Sequence, residues 1–275
     1  MAMSWSTTKG VVSTALHMLC HRGQLEYDAP IAAYWPEFAA NGKQAITVRQ
    51  FMAMEGGLYD VRSLLTDPER MLDHVTMAGL IAASAPTHDP GEANGYHAFT
   101  YGWIAGELVR RITGDSLGDF VQAEIVRPLG LDGCYIGTPT SELGRVAAPV
   151  GLKPEGRFVR RVAKLADPLT RLAGFSPNRF AAAFLPRRGH EIIPTDRFLS
   201  AEVPGVNGVF TARSLARLYA VLGADDGLHG VALWSPETRQ IATEQQNHRR
   251  DLVVPLRVGW RLGYHQPFPK KHWPS

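Results

Sequence analysis

A serine and a lysine stand three residues apart at the start of the first apolar segment of the chain. The segment reads WSTTKGVVSTALHMLCHRG, and Ser6 and Lys9 lie at the first turn of the helix that it predicts. Residues at i and i+3 of a helix share one face, with Cβ atoms about 5–6 Å apart. A lysine that is partly removed from water loses proton affinity and can accept the proton of a serine hydroxyl. Because the free amides of a helix start also stabilise a developing oxyanion, the pair predicts nucleophilic catalysis by Ser6 with Lys9 as its proton partner.

The same four residues also have a purely structural interpretation. Ser6 would cap the helix, and Lys9 would extend into solvent. A serine three residues before a lysine is a short pattern that arises by chance, so the motif alone favours the capping role. The choice between the two interpretations depends on what else the chain carries.

Tyr96 has two possible roles, in a cleft or in the packing between elements. It stands in Gly95-Tyr96-His97-Ala98, directly before a predicted amphipathic helix, where its hydroxyl can reach a cleft. The alternative is an interface tyrosine whose hydroxyl has an ordinary hydrogen-bond partner. Tyr101 lies on the apolar face of the helix that follows and is assigned to the core. We expect His97 to line the cleft without acting as a base.

The helix that must position Ser6 and Lys9 is apolar around much of its circumference. Its periodic face and the residues that widen it are Val11, Val12, Ala15, Leu16, Met18 and Leu19. A helix of this kind is buried near the centre of a domain. Gly23 supplies the left-handed residue that ends it.

Several segments, in order along the chain, resemble the serine β-lactamase and penicillin-binding-protein superfamily. The resemblance is greatest to the esterase branch close to class C β-lactamases, the family VIII carboxylesterases. The matching segments are STTKGVVSTALHMLCHRGQLEYDAPIAAYWPEF, ITVRQFMAMEGGL, GYHAFTYGWIAGELVRRITG and VNGVFTARSLARLYAVLG. The resemblance implies that Ser6 is the nucleophile, and that Lys9 and a tyrosinate at Tyr96 move protons. Ala98 replaces the asparagine of the class C motif, which favours esters over lactams, and Met54 stands where the family often has histidine.

The resemblance also implies an α+β fold, a helical domain beside an antiparallel sheet flanked by the terminal helices. The first strands of that sheet should precede the nucleophile, and the last should carry a Lys-Thr-Gly or His-x-Gly motif that supplies the second oxyanion donor. Only five residues precede Ser6, and the one His-x-Gly triplet, at 21–23, closes the first helix. We therefore expect one β-lactamase-related domain over residues 1–275, mostly helical, with the sheet truncated at both ends.

A truncated sheet would leave part of the Ser6 helix uncovered. Val11, Val12, Leu16 and Leu19 would then be exposed, at a cost of about 1.5–3 kcal/mol for each large side chain. Self-association through this uncovered helix face would follow.

Two further motifs suggest chemistry but have simpler explanations. Gly114-Asp115-Ser116-Leu117-Gly118 fits the Gly-x-Ser-x-Gly pattern, but a helix precedes the serine where a nucleophile elbow requires a strand. We assign Ser116 to a helix cap. His17 and His21 have a metal-ligand spacing, but position 18 is methionine and no third ligand stands nearby. No metal and no cofactor are expected.

Composition limits the class of protein and its partners. The chain has 275 residues, 45% hydrophobic and 20% charged, which predicts a folded domain rather than a disordered chain. A net charge of +3 does not suggest nucleic-acid binding, and the arginine-rich stretches around 157–172 and 184–191 are assigned to a solvated face or a cleft rim. No run is long enough to span a membrane, and the first residues lack a signal-peptide pattern. Cys20 and Cys134 lie far apart, which favours buried thiols in the cytoplasm, although a single disulfide stays open.

The sequence therefore predicts a cytoplasmic serine hydrolase of short-chain, small-molecule esters that works through an acyl-enzyme. The alternative is a catalytically impaired remnant that keeps only a ligand-binding cleft. Loss of one oxyanion donor lowers the rate about 10²–10³-fold, so weak activity would fit either. A basic binding module is a third, minor possibility, which salt-dependent retention on DNA would reveal.

Overall fold

The computed structural model of the protein describes residues 1–148, 165–170, 174–193, 195–228 and 230–266. Within these ranges the chain is mainly helical, with five very short strands. The α-helices are α1 (Thr8–His21), α2 (Val48–Met52), α3 (Val61–Leu64), α4 (His74–Ala83), α5 (Thr100–Thr113), α6 (Leu117–Val121), α7 (Arg127–Leu129), α8 (165–170), α9 (Pro177–Phe184), α10 (Asp196–Ser200), α11 (Ala212–Gly223) and α12 (Pro236–Thr243). Short 3₁₀ turns occupy Trp5–Thr7, Ile31–Ala33, Pro36–Gly42, Pro68–Leu72, Thr140–Arg145 and Gly189–Glu191, and a π-helical turn covers Gln122–Val126.

The strands form one small sheet and one hairpin. Strands β1 (Ala2–Met3), β2 (Cys134–Tyr135) and β3 (Val209–Phe210) pair antiparallel in the order β1-β3-β2. Strands β4 (Gly259–Trp260) and β5 (His265–Gln266) pair antiparallel with each other. The described residues thus contain helices and antiparallel strands, as the predicted α+β class requires, with helices predominant.

The pairing of β1 with β3 continues toward the nucleophile. The amide of Ser4 donates to the carbonyl of Gly208 at 2.8 Å, and the amide of Gly208 donates to the Thr8 hydroxyl at 3.0 Å. These bonds attach the segment on both sides of Ser6 to the end of β3. The start of α1 is therefore held by the sheet.

Helix α1 lies in the core, and every residue from 8 to 19 is buried. It packs against α5, α6 and α12. The turn between β4 and β5 also contacts it, because the Leu262 carbonyl lies 2.9 Å from His17 Nε2 and the Tyr264 hydroxyl 3.0 Å from Thr14 Oγ1.

The expectation of an uncovered face on this helix is wrong. Val11, Val12, Leu16 and Leu19 have no exposed surface. Helices α5, α6 and α12 and the β4–β5 turn cover the helix, so each of these side chains contributes its full burial of about 1.5–3 kcal/mol. The prediction of self-association through an uncovered face of α1 therefore has no structural support.

Helix starts follow the local sequence closely. The Ser116 hydroxyl accepts from the amide of Asp119, so it caps α6 as expected for the serine of the Gly-x-Ser-x-Gly pattern. Thr47 and Gln50 form a reciprocal capping box at α2. Gly114 ends α5 in the left-handed conformation, with φ of +84°.

The two cysteines and His17 have ordinary structural environments. Cys20 and Cys134 are free thiols, half-buried and buried respectively. A carbonyl can only accept, so the Nε2–H of neutral His17 donates to Leu262 and its Nδ1 accepts from the Tyr27 hydroxyl at 2.7 Å. Burial lowers the pKa of His17 to about 4. No helix in the described part of the chain is both long and apolar enough to cross a bilayer.

Candidate active site

Ser6 lies in the Trp5–Thr7 turn that leads into α1, and it faces an open cleft. The cleft has a volume of about 530 Å³ and brings Ser6 together with Lys9 and Tyr96, the three residues singled out in the sequence. Its other lining residues are Ser4, Trp5, Thr7, Gly10, Met54, Tyr219, Trp260, Gly263, Tyr264 and His265. Ser6 is half-buried, so its hydroxyl can meet a ligand that enters the cleft.

Lys9 is 4% exposed and is held by three oxygen atoms. Its Nζ lies 3.3 Å from Ser6 Oγ, 2.5 Å from the Ala98 carbonyl and 2.7 Å from the Gly205 carbonyl. Burial, with no carboxylate among these partners, lowers the pKa of Lys9 to about 7. The amine is therefore close to half-neutral at physiological pH.

Two glycines allow the carbonyl groups to converge on Lys9. A Cβ on Gly102 of α5 would overlap the main chain at Pro204 and Gly205. A Cβ on Gly205 would press on the carbonyls of Ala98 and Phe99. Because glycine has no side chain, the start of α5 and the loop after α10 approach closely. The carbonyls of Ala98 and Gly205 can then both accept from the Lys9 amine.

A neutral Lys9 amine can form a hydrogen bond with each of these three partners. It has two N–H groups, which the Ala98 and Gly205 carbonyls accept, and one lone pair, which remains for the hydroxyl proton of Ser6. The charged form would donate to all three oxygens. The same site thus accommodates both states of a proton acceptor.

Tyr96 stands at the other side of the Ser6 hydroxyl. Its phenol interacts with the Ser6 side chain across the cleft, and Lys9 Nζ lies 5.0 Å from the centroid of its ring. Burial raises the pKa of Tyr96 to about 12. The ring stacks on Trp260 with 5.3 Å between centroids and also contacts Phe184 at 5.5 Å. Tyr96 is therefore a neutral phenol with its ring fixed by aromatic neighbours.

His97 does not line the cleft, contrary to expectation. It is fully buried, its Nε2 accepts from the amide of Leu58 at 2.9 Å, and its Nδ1 lies 3.4 Å from Met54 Sδ. Burial lowers the pKa of His97 to about 3, so it is neutral and structural. The histidine that lines the cleft is His265 on β5, which the sequence analysis missed because no local motif marks it.

The cleft has an aromatic wall that sequence reasoning also missed. Trp5, Tyr219 and the pair Trp260 and Tyr264 come from three separate parts of the chain. Trp5 and Tyr219 keep 38% and 42% of their surface exposed. Such exposed aromatic surface suits an apolar or planar ligand group. Only the fold brings these side chains together.

Backbone strain is located next to the nucleophile. Trp5, which directly precedes Ser6, has φ of +46°, and Met54 on the cleft wall has φ of +63°. Left-handed φ in a residue other than glycine costs about 1–3 kcal/mol and occurs preferentially at functional sites. The described residues contain no group of three or more His, Cys, Asp or Glu arranged to hold a metal ion.

Comparison with known proteins shows the family of the chain. The family model described as Beta-lactamase matches residues 1–270 of the chain. The chain is 34% identical over 269 residues to the esterase/beta-lactamase LipL of Mycobacterium tuberculosis (strain ATCC 25618 / H37Rv). The match covers 96% of this chain and 60% of LipL, so the chain spans about three fifths of that relative.

Two solved structures are similar over nearly the whole chain. A family VIII carboxylesterase is 32% identical with a TM-score of 0.83, covering 99% of this chain and 69% of that one. A penicillin-binding protein homologue from Caulobacter crescentus is 33% identical with a TM-score of 0.81, covering 98% and 68%.

Proposed function

Because the chain belongs to the Beta-lactamase family, we propose that it is a serine hydrolase that cleaves short-chain carboxylic esters through an acyl-enzyme on Ser6. One relative is named an esterase/beta-lactamase and another a carboxylesterase, which supports ester chemistry. The observation that carries the proposal is the buried Lys9 amine, 3.3 Å from Ser6 Oγ and with a pKa lowered to about 7. A lysine that only capped or solubilised the helix would extend into water.

In acylation, Ser6 Oγ attacks the ester carbonyl carbon while neutral Lys9 takes the hydroxyl proton. The main-chain amide of Ser6 would be one of the donors to the oxyanion. When the tetrahedral intermediate collapses, the alcohol leaves with the phenolic proton of Tyr96. The site then holds an acyl-Ser6, a protonated Lys9 and a tyrosinate.

Deacylation restores every proton. Water attacks the acyl carbon and gives a proton to the Tyr96 phenolate, and the departing Ser6 Oγ takes the proton from Lys9. One ester and one water thus become one acid and one alcohol. The resemblance implied a tyrosinate before reaction, but a pKa raised to about 12 makes Tyr96 the donor in the free enzyme and Lys9 the acceptor.

Labelling with a fluorophosphonate, followed by intact-mass measurement and peptide mapping, tests the nucleophile. One adduct on the peptide that contains Ser6 is expected, together with hydrolysis of p-nitrophenyl acetate and butyrate. Ser6→Ala should abolish both, whereas the control Ser116→Ala, which removes a helix cap and a hydrogen bond to Glu202 outside the cleft, should retain them. Absence of an adduct on folded protein would overturn the proposal and leave the catalytically impaired cleft.

The location of the protein is part of the same proposal. The free thiols of Cys20 and Cys134 support the cytoplasm, where disulfides are rare. Fractionation of the source cells tests this.

A further inference from the structure

Asp251 is a buried carboxylate that the catalytic steps above do not use. It is 2% exposed, and burial raises its pKa. Its Oδ1 accepts from the amides of Val253 and Val254 at 2.8 and 2.9 Å, which closes a turn. Turn closure of this kind needs one oxygen and is a common role for aspartate.

The remaining contacts of Asp251 lead to the catalytic tyrosine. Its Oδ1 also accepts from the amide of Tyr96 at 3.3 Å, and its Oδ2 accepts from the indole Nε1–H of Trp260 at 3.0 Å. Trp260 in turn stacks on the Tyr96 ring, with the two planes 14° apart. One carboxylate therefore fixes both the main chain of Tyr96 and the aromatic surface behind its ring.

The backbone strengthens this connection. The amide of Leu252 donates to the Asn94 carbonyl at 2.7 Å, so the turn of Asp251 is bonded to the loop that carries Tyr96. The Asp251 turn, the nearby strand β4 with Trp260, and the Tyr96 loop, 155 residues away along the chain, thus meet at one side chain. A turn cap alone would not require contacts to two other segments.

We propose that Asp251 is a positioning residue for Tyr96: together with Trp260 it holds the phenol against the Ser6 hydroxyl. This inference rests on the proposed function, in which Tyr96 donates the proton to the leaving alcohol. Misplacement of a reacting group by about 1 Å can lower a rate about 100-fold. The negative charge of Asp251 has a second effect in the same direction, because it helps to raise the pKa of Tyr96 and so preserves the proton that Tyr96 must donate.

Two substitutions break the same hydrogen bond from opposite sides. Asp251→Asn can keep an oxygen toward the turn but presents an amide N–H₂ to the Trp260 N–H, so that bond is lost. Trp260→Phe removes the indole N–H and keeps an aromatic ring on Tyr96. Asp73→Asn is the control, because Asp73 also accepts from two main-chain amides, at the start of α4, but does not line the cleft.

Kinetics of the single and double variants test the inference. Asp251→Asn should lower kcat about 10–100-fold with KM within about 2-fold, while Asp73→Asn leaves both unchanged. In the Trp260→Phe background the loss of kcat caused by Asp251→Asn should be smaller, because the hydrogen bond between Trp260 and Asp251 is already absent. Unchanged kcat in folded Asp251→Asn, or losses that simply multiply in the double variant, would overturn it. If Asp251→Asn does not fold, a kcat of Trp260→Phe equal to that of the wild type would do so.

An activity-independent measurement separates this inference from the proposed function. In protein labelled with 3-fluorotyrosine, the ¹⁹F resonance of Tyr96 is identified by its loss in Tyr96→Phe. Asp251→Asn should shift or split that resonance, and Asp73→Asn should not. If the wild-type protein has no esterase activity but Asp251→Asn still shifts the Tyr96 resonance, the proposed function is refuted and the positioning role is kept. If Asp251→Asn leaves the resonance unchanged, the positioning role is refuted.

Discussion

Gly102 and Gly205 approach each other so closely that neither can carry a side chain. A Cβ on Gly102 would overlap the main-chain nitrogen of Gly205, and this contact joins α5 to the loop after α10. The two carbonyls that bind Lys9 Nζ are those of Ala98, just before α5, and of Gly205 in this loop. The position of the amine beside Ser6 thus depends on a main-chain approach outside α1.

Gly102→Ala should separate these segments and displace the Lys9 partners. We expect overpacking to lower the free energy of unfolding by about 1–3 kcal/mol. The rate of fluorophosphonate labelling should fall by more than the decrease in the folded fraction accounts for. The control is Gly79→Ala in α4, where no atom lies near the added Cβ and alanine favours the helix. Chemical denaturation and labelling rates measure both effects. Equal behaviour of the two variants would contradict the prediction.

The activity should rise with pH through about 7. The neutral form of Lys9 is the proton acceptor, and its pKa is lowered from 10.5 to about 7 by burial. Below that pKa, kcat/KM should fall about tenfold per pH unit. A pH–rate profile with p-nitrophenyl acetate, corrected for spontaneous hydrolysis, measures it. A flat profile from pH 5.5 to 8.5 would exclude Lys9 as the acceptor.

The lowered pKa of Lys9 also makes stability depend on pH. Between about pH 7 and 10.5 the unfolded chain binds more protons at Lys9 than the folded protein, so stability should rise with pH across this window. Below about pH 7 the destabilising effect is present in full. Lys9→Met removes the titrating group and should flatten this part of the curve. Urea unfolding at several pH values, with an unchanged slope in the variant, would disprove the assignment.

Tyr96→Phe should remove the proton donor and keep the aromatic packing. Because the ring still stacks on Trp260 and Phe184, we expect kcat to fall about 10²–10⁴-fold with little change in thermal stability. Tyr101→Phe is the control, since its buried hydroxyl is 2.7 Å from Ser13 Oγ and outside the cleft. That variant should lose about 0.5–1.5 kcal/mol of stability and keep its kcat. A reversed pattern would place the catalytic phenol elsewhere.

His17 should destabilise the protein on acidification. Its pKa is lowered from 6.5 to about 4, so the unfolded state binds more protons between these values and stability falls as the pH drops through that range. His17→Gln, which does not titrate, should reduce the slope. Thermal melting between pH 7 and 4 measures the difference. His97, with a pKa of about 3, adds a similar acid sensitivity that this substitution leaves in place.

Local sequence patterns predicted the parts of the site that lie near one another along the chain. The Ser6–Lys9 spacing, the cap at Ser116 and the core position of Tyr101 all follow from helix geometry and periodicity, and the structure shows each of them. The resemblance added Tyr96, which the fold brings to the Ser6 hydroxyl.

Contacts between distant segments could not be predicted in the same way. The cover of α1 depends on α12 and on Leu262, which is 245 residues from its partner His17 in the helix. The environment of His97 depends on Met54 and Leu58, and the role inferred for Asp251 depends on three segments. Local periodicity does not predict which distant segments contact each other, because tertiary packing determines these contacts.

The stacking of Trp260 on Tyr96 gives the cleft an intrinsic optical signal. The indole lines the cleft, is hydrogen-bonded to one carboxylate and lies against the phenol that we propose changes its protonation state during turnover. Indole emission is quenched by a neighbouring phenolate, so the acyl-enzyme should have a lower tryptophan fluorescence than the resting protein. Stopped-flow fluorescence of the unlabelled protein would then follow acylation and deacylation as two separate phases, without a chromogenic substrate.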